Sequence, residues 1–226
     1  MANQVSNKAT QRQQNAARQE RIRRYNAEKA DALKIFASVF GATLLIAIIT
    51  LIVTLCSHVV YVHNTAMTEN GGQEVWVRGS AFLKALFSGT YTSADAGYDN
   101  LAVPFYYYAK AYCQPAALLT LFSVVSAVLT IFSAALSLVM AIWKKEYLFT
   151  FLTLVFSVLT TVLIFVLFGI ALSMANGDIL TTYCNNNPAC SIRSDVIWGA
   201  ILSLLTVAAN IFAVIKFVQI EKVRKS

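Results

Sequence analysis

Charged side chains are scarce in this 226-residue chain. Asp, Glu, Lys and Arg make up 13% of it, against about 25% in soluble proteins, while 58% is apolar and the mean hydropathy is +0.61. That shortage excludes a water-soluble globular domain. The long apolar runs hold no Gly or Pro pair of the kind that unwinds transporter helices at mid-membrane. No Asp, Glu, Lys, Arg or His stands in the middle of any run. The usual carriers of proton relays and ion coupling are therefore missing, which argues against a pump or an ion-coupled transporter. HExxH, GxSxG, P-loop and strand-following GxGxxG patterns are all absent, and abundant Ser and Thr without a base are inert. The chain is expected to be no enzyme and to carry no cofactor. Without a paired CxxC, and with only His58 and His63 as candidate partners, no zinc or other metal site is expected either.

What is present is long charge-free sequence. Ile35 to Ser57, Ala111 to Trp143, Tyr147 to Gly177 and Val196 to Ile215 run for 23, 33, 31 and 20 residues. Each can cross a hydrocarbon core of about 30 Å, which takes roughly 20 helical residues. The runs lack the ten-residue alternation of a membrane β-barrel. The expected fold is an all-α integral membrane protein, a left-handed antiparallel bundle of four transmembrane helices with a partly structured first outer loop. The expected segments are an amino-terminal segment 1–34, spans 35–57, 111–143, 147–177 and 196–217, outer loops 58–110 and 178–195, an inner turn 144–146 and a tail 218–226.

The net charge of +7 is distributed lopsidedly. Fourteen of the eighteen Lys and Arg fall in the amino-terminal segment, the turn holding Lys144 and Lys145, and the stretch from Lys216 onward. Loops kept in the cytoplasm carry that excess, so both termini are expected to be cytoplasmic, in the plasma membrane. The charge is topological and not a nucleic-acid footprint, which needs basic residues on a folded face with groove or stacking partners. The polar stretch before the first span is too long for a signal-peptide n-region, so that span is expected to be an uncleaved anchor. Residues 1–34 contain neither Gly nor Pro. Disorder is expected to about residue 15, followed by a helix running into the first span.

Cys56, Cys113, Cys184 and Cys190 all fall on the outer side of this topology, where disulfides persist. Cys184 and Cys190 close a short Asn- and Pro-containing turn and are expected to pair. Cys56 and Cys113 can pair only if their helix ends bring the Cα atoms within about 7 Å.

Inside the second run, small residues recur at Ala116, Thr120, Ser123, Ala127, Thr130, Ala134, Ser137 and Ala141, in steps that alternate four and three. Such a heptad seam suits left-handed packing at about +20°, where small side chains let backbones approach in lipid. The first run echoes it with Thr43, Ala47, Thr50, Thr54 and Ser57. The third does so with Thr150, Thr153, Ser157 and Thr160, and the fourth with Gly199, Ser203, Thr206, Asn210 and Ala213. Asn210, the one strongly polar side chain deep in a run, is expected to hydrogen-bond a neighbouring helix. Hydroxyl stripes can also line a water path, and in a four-helix bundle such a path forms more easily between protomers than at the centre.

In the first outer loop, His58 to His63 and Glu74 to Arg78 read as strands joined by the turn-prone Glu69-Asn70-Gly71-Gly72. A short amphipathic helix follows, with Phe82, Leu83, Leu86 and Phe87 on one side. Phe105 to Tyr108 and Tyr112 suit the membrane interface, whereas Trp76, Tyr91 and Tyr98 are candidates for a partner surface. The second loop reads as a short stapled turn. Four spans, cytoplasmic termini, a larger first loop and a smaller second one make a layout that resembles the claudin-like tetraspan group. The resemblance is architectural: Trp76 stands alone, Cys113 is the only loop-side cysteine before the second span, and no residue is carried over. The function expected is a structural, accessory or scaffolding subunit of a membrane assembly. Its partners are the lipid bilayer and other membrane proteins or further copies of itself. The alternative is an oligomeric channel or facilitator for a small neutral solute.

Overall fold

A computed structural model describes residues 2–64, 73–88, 110–143, 149–176 and 190–225. Helix α1 (Ala2–Cys56) is followed by strands β1 (His58–Asn64) and β2 (Gln73–Arg78) and by the short helix α2 (Gly79–Ser88). Then come α3 (Lys110–Ile142), α4 (Phe149–Asn176), strand β3 (Cys190–Arg193) and α5 (Val196–Lys225). Four helices, α1, α3, α4 and α5, are long and apolar enough to cross a membrane, which is the mark of an integral multi-pass membrane protein.

Helix α1 has 55 residues and so a length of about 80 Å at 1.5 Å per residue, far more than a bilayer core requires. It begins at Ala2, where the sequence leads one to expect disorder to about residue 15. Ala, Gln, Arg, Glu and Lys together dominate residues 1–34, and all are good helix formers. The first span's helix therefore extends through the basic segment without a break. From Tyr25 onward its apolar residues find partners: Ala32, Leu33, Phe36 and Phe40 cluster with Ala141 of α3 and Ala213, Phe217 and Ile220 of α5.

The four long helices touch in the cyclic order α1, α3, α4, α5 and back to α1. Their lipid-side positions carry Leu, Ile, Val and Phe, as at Phe122, Val125, Leu129 and Phe132 of α3 and Val155, Leu159, Val162 and Val166 of α4. Their inward positions carry Ala, Ser and Thr. This is the reverse of a soluble helix, because lipid tails supply no hydrophobic drive and close backbone approach has to bring helices together.

At one end of the bundle β1 pairs antiparallel with both β2 and β3, giving the order β2-β1-β3. The pairing of β1 with β2 places Tyr61 opposite Trp76 and Val62 opposite Val75, with an irregularity between His58 and Val60. The third strand departs from the expectation of a plain stapled turn before α5. The backbone N–H and C=O groups along the second edge of β1 need partners, and residues 190–193 supply them, Val62 opposite Ile192. Val59, Val60 and Val77 of the sheet and Phe82 of α2 are buried against Ala116 and Ala117 of α3, Ile164 and Leu167 of α4, and Val196 and Ala200 of α5. Phe82 and Leu86 of α2 face this cluster, but Phe87 turns outward with 74% exposure. It lies one residue, about 100°, around the helix from Leu86, too far to share that face.

Candidate functional site

Two places concentrate polar chemistry: the interior between the four helices, and the junction of the sheet with α5. In the interior, Thr130 of α3 hydrogen-bonds Thr160 of α4 at 3.2 Å, and Ser137 bonds Thr153 at 3.1 Å. Thr160 also donates to Ser126 at 3.0 Å. On the other side of the ring, the Cβ direction of Gly199 in α5 points at Thr54 Oγ1 of α1, 3.5 Å away. Between α3 and α4, partners thus rise in number along one helix as they fall along the other.

Stepping from these contacts by alternating three and four residues groups the buried positions into layers, one residue from each helix. Thr54, Ser123, Leu167 and Gly199 form one layer, and Thr50, Ala127, Ile164 and Ser203 the next. Below them come Ala47, Thr130, Thr160 and Thr206, then Thr43, Ala134, Ser157 and Asn210. Phe40, Ser137, Thr153 and Ala213 follow, and Phe36, Ala141, Thr150 and Phe217 end the series. A cavity lined by Ala47, Thr50, Ala127, Thr130, Thr160, Ser203 and Thr206 falls between the second and third layers. Its volume of ≈ 10 Å³ is about that of a single water site by the same measure.

All eight seam residues of α3, Ala116, Thr120, Ser123, Ala127, Thr130, Ala134, Ser137 and Ala141, are buried, as is Asn210. Most of the hydroxyls are occupied within their own helix. Thr50 donates to Ile46 O, Thr54 to Thr50 O, Thr120 to Ala116 O, Ser203 to Ala200 O and Thr206 to Ser203 O, all within 2.7–2.8 Å. Hydroxyls turned back in this way leave methyl groups and β-carbons toward the middle. Asn210 donates to Thr206 O at 2.8 Å, within its own helix and not across to a neighbour. The bulkiest buried side chains stand toward the two ends, Phe36 and Phe40 at one and Ile164, Leu167 and Val196 at the other, with Thr150 beside the first group and Thr54 and Ser123 beside the second.

At the second place, Asp195 stands just ahead of α5. Its backbone N–H donates to His58 O, and its own carbonyl accepts from Trp198 N. Its carboxylate lies 2.9 Å from His58 Nδ1, the two side chains being 28% and 32% exposed. Tyr61 packs on the His58 ring at 5.6 Å, and Arg193 of β3 sits 4.5 Å over the Tyr61 ring. Tyr61 thus holds an amphipathic ring beneath a guanidinium, an arrangement that stabilises the cation. A chain of contacts therefore ties β1, β3 and α5 together. Nothing in the sequence marks this clasp, because His58 and Asp195 are remote along the chain and only the sheet brings them together.

Of the remaining candidates, Trp76 lies in β2, while Tyr91, Tyr98 and Cys184 fall outside the described residues. The Cys184–Cys190 pair therefore falls outside them too, although Cys190 opens β3. Cys56 carries a free, exposed thiol. Among the described residues no cluster of three His, Cys, Asp or Glu side chains forms a metal centre. No protein-family model and no curated protein matches this chain.

Proposed function

We propose that this protein is a non-enzymatic structural or accessory subunit of a membrane assembly, holding a rigid bundle and presenting its capped end to partners. The observation that carries this reading is where the Ser and Thr stripes lie: they face inward, and most of their protons are held by carbonyls of their own helices. A facilitator built from several copies needs those hydroxyls on the surfaces between protomers. The outward surfaces instead carry large apolar residues such as Leu45, Phe132, Val155 and Leu205. Within one copy, the cavity of only ≈ 10 Å³ and the bulky Phe36, Phe40, Ile164 and Leu167 buried toward its ends argue against a continuous polar route.

The opposite numerical order of the contacting pairs and the three-four heptad stepping support an antiparallel, left-handed bundle. The lopsided Lys and Arg distribution supports cytoplasmic termini in the plasma membrane. Trp76, Tyr91 and Tyr98 in the first loop are the proposed contact residues, and Cys184 with Cys190 the proposed staple of the second.

The test is gentle extraction of the tagged, full-length chain from its native membrane, followed by native mass spectrometry. A stoichiometric second subunit is the expected result. A particle holding only copies of this chain, together with solute flux after reconstitution, would instead establish the facilitator. A Cys184→Ser, Cys190→Ser variant is expected to change non-reducing mobility and to lower thermal stability; unchanged values for both refute the staple.

A further inference from the structure

The layer of Thr43, Ala134, Ser157 and Asn210 differs from those around it. All four residues are fully buried, at 0% exposure, yet Thr43 Oγ1 and Asn210 Oδ1 have no hydrogen-bond partner. Thr50 and Thr54, on the same stripe of α1, donate to carbonyls of their own helix; Thr43 does not. Asn210 uses its amide N–H on Thr206 O, which leaves its carbonyl oxygen unpaired. Ser157 donates to Leu154 O at 2.8 Å, so its oxygen retains lone pairs that accept. The fourth member, Ala134, contributes only a methyl group, and the water-sized cavity lined by Ala47, Thr130, Thr160 and Thr206 lies one layer away.

The stepping sets these residues at one level. Thr54 lies beside Gly199 and Phe40 clusters with Ala213; between those two contacts, eleven residues along each helix from the first, the same step pairs Thr43 with Asn210. A lone buried carbonyl or hydroxyl is costly where no water reaches it. The layer offers one donor, Thr43 Oγ–H, and two acceptors, Asn210 Oδ1 and Ser157 Oγ. That set matches a water molecule, which makes about three bonds when buried. A bare cation fits less well, since no carboxylate lies near enough to balance its charge.

We propose that a single resident water occupies this layer, accepting from Thr43 and donating to Asn210 and Ser157. It joins α1, α4 and α5 by hydrogen bonds in addition to their packing. The role is one of register, as for a single polar residue in an otherwise apolar helix seam. It holds whether the particle is an accessory subunit or a facilitator.

The experiment is water-edited magic-angle-spinning NMR of the full chain in lipid bilayers, with asparagine side-chain amides labelled and the Asn210 signal assigned by its loss in Asn210→Leu. Magnetisation is expected to pass from water to the Asn210 carboxamide at short mixing times. Thr43→Val, nearly equal in shape, should reduce that transfer severalfold while the remaining spectrum stays in place. Thermal losses from Thr43→Val and Asn210→Leu should fall short of additive in the double variant. Transfer that is absent from Asn210 yet present at exposed asparagines overturns the proposal, as does transfer insensitive to Thr43→Val. Less-than-additive losses without any transfer would instead establish a direct Thr43–Asn210 bond, which also overturns it.

Discussion

Gly79 and Gly199 are both buried, yet a methyl group at each meets a different fate. A Cβ on Gly79 would lie 2.1 Å from the backbone oxygen of Thr54, and the Gly79 N–H reaches Ser57 O at 3.4 Å. The strand-to-helix turn there sits directly on the end of α1. Gly79→Ala is expected to cost about 3 kcal/mol through overpacking against rigid backbone, read as a lowered unfolding midpoint in detergent. At Gly199 the nearest atoms to a new Cβ are side-chain atoms at 3.5–3.8 Å, ordinary contact. Gly199→Ala should therefore stay within about 0.5 kcal/mol of the parent. The sequence distinguishes neither case, because the Thr54 oxygen that makes Gly79 necessary belongs to a different helix.

At the scale of elements, α3 is the helix whose buried face was most legible beforehand. Its alternating small residues mark one stripe, and the stripe is buried from Ala116 to Ala141. Ala127 also lines the central cavity, which is too small to admit three extra carbons. Ala127→Leu should thus destabilise the bundle by about 1–3 kcal/mol and lower the yield of folded protein on extraction. If the mutant folds normally, the stripe is not a packing seam. Thr160, which bonds Ser126 and Thr130 across to α3, should lose only about 0.6 kcal/mol when changed to Val, the scale of hydrogen bonds between membrane helices. The clasp between β1 and α5 is a different kind of contact. A double-mutant cycle on His58→Ala and Asp195→Ala is expected to give a coupling of about 1 kcal/mol for this partly exposed, charge-assisted pair; a coupling near zero would mean the sheet is held by its backbone bonds alone.

Taken whole, the described bundle buries its bulkiest side chains toward its two ends. Phe36 and Phe40 are buried at the end where α1 and α5 continue outward together, and the sheet with Phe82 covers the other. Vesicles holding the purified chain alone are expected to show no glycerol or urea flux above empty vesicles, measured by light scattering after an osmotic step. Phe36→Ala should lower stability by about 3–5 kcal/mol because it opens the apolar cluster at its most buried side chain. If it instead produced flux with stability intact, that end would be a gate.

The sequence by itself determined that the chain lives in a membrane, where its four apolar spans lie and which stripe of each is small. Those properties are local: charge-free length, and a repeat that follows the turn of a helix. It also marked β1 and β2, through runs of β-branched residues around a Gly-containing turn. Only the tertiary structure decided that residues 190–193 complete the sheet, that His58 meets Asp195, and that Thr160 reaches both Ser126 and Thr130. Each of these joins residues remote along the chain, and no periodicity records such pairings. They follow from the relative depth of packed helices, which is set by the fit of side chains from different elements and exists only once the bundle has closed.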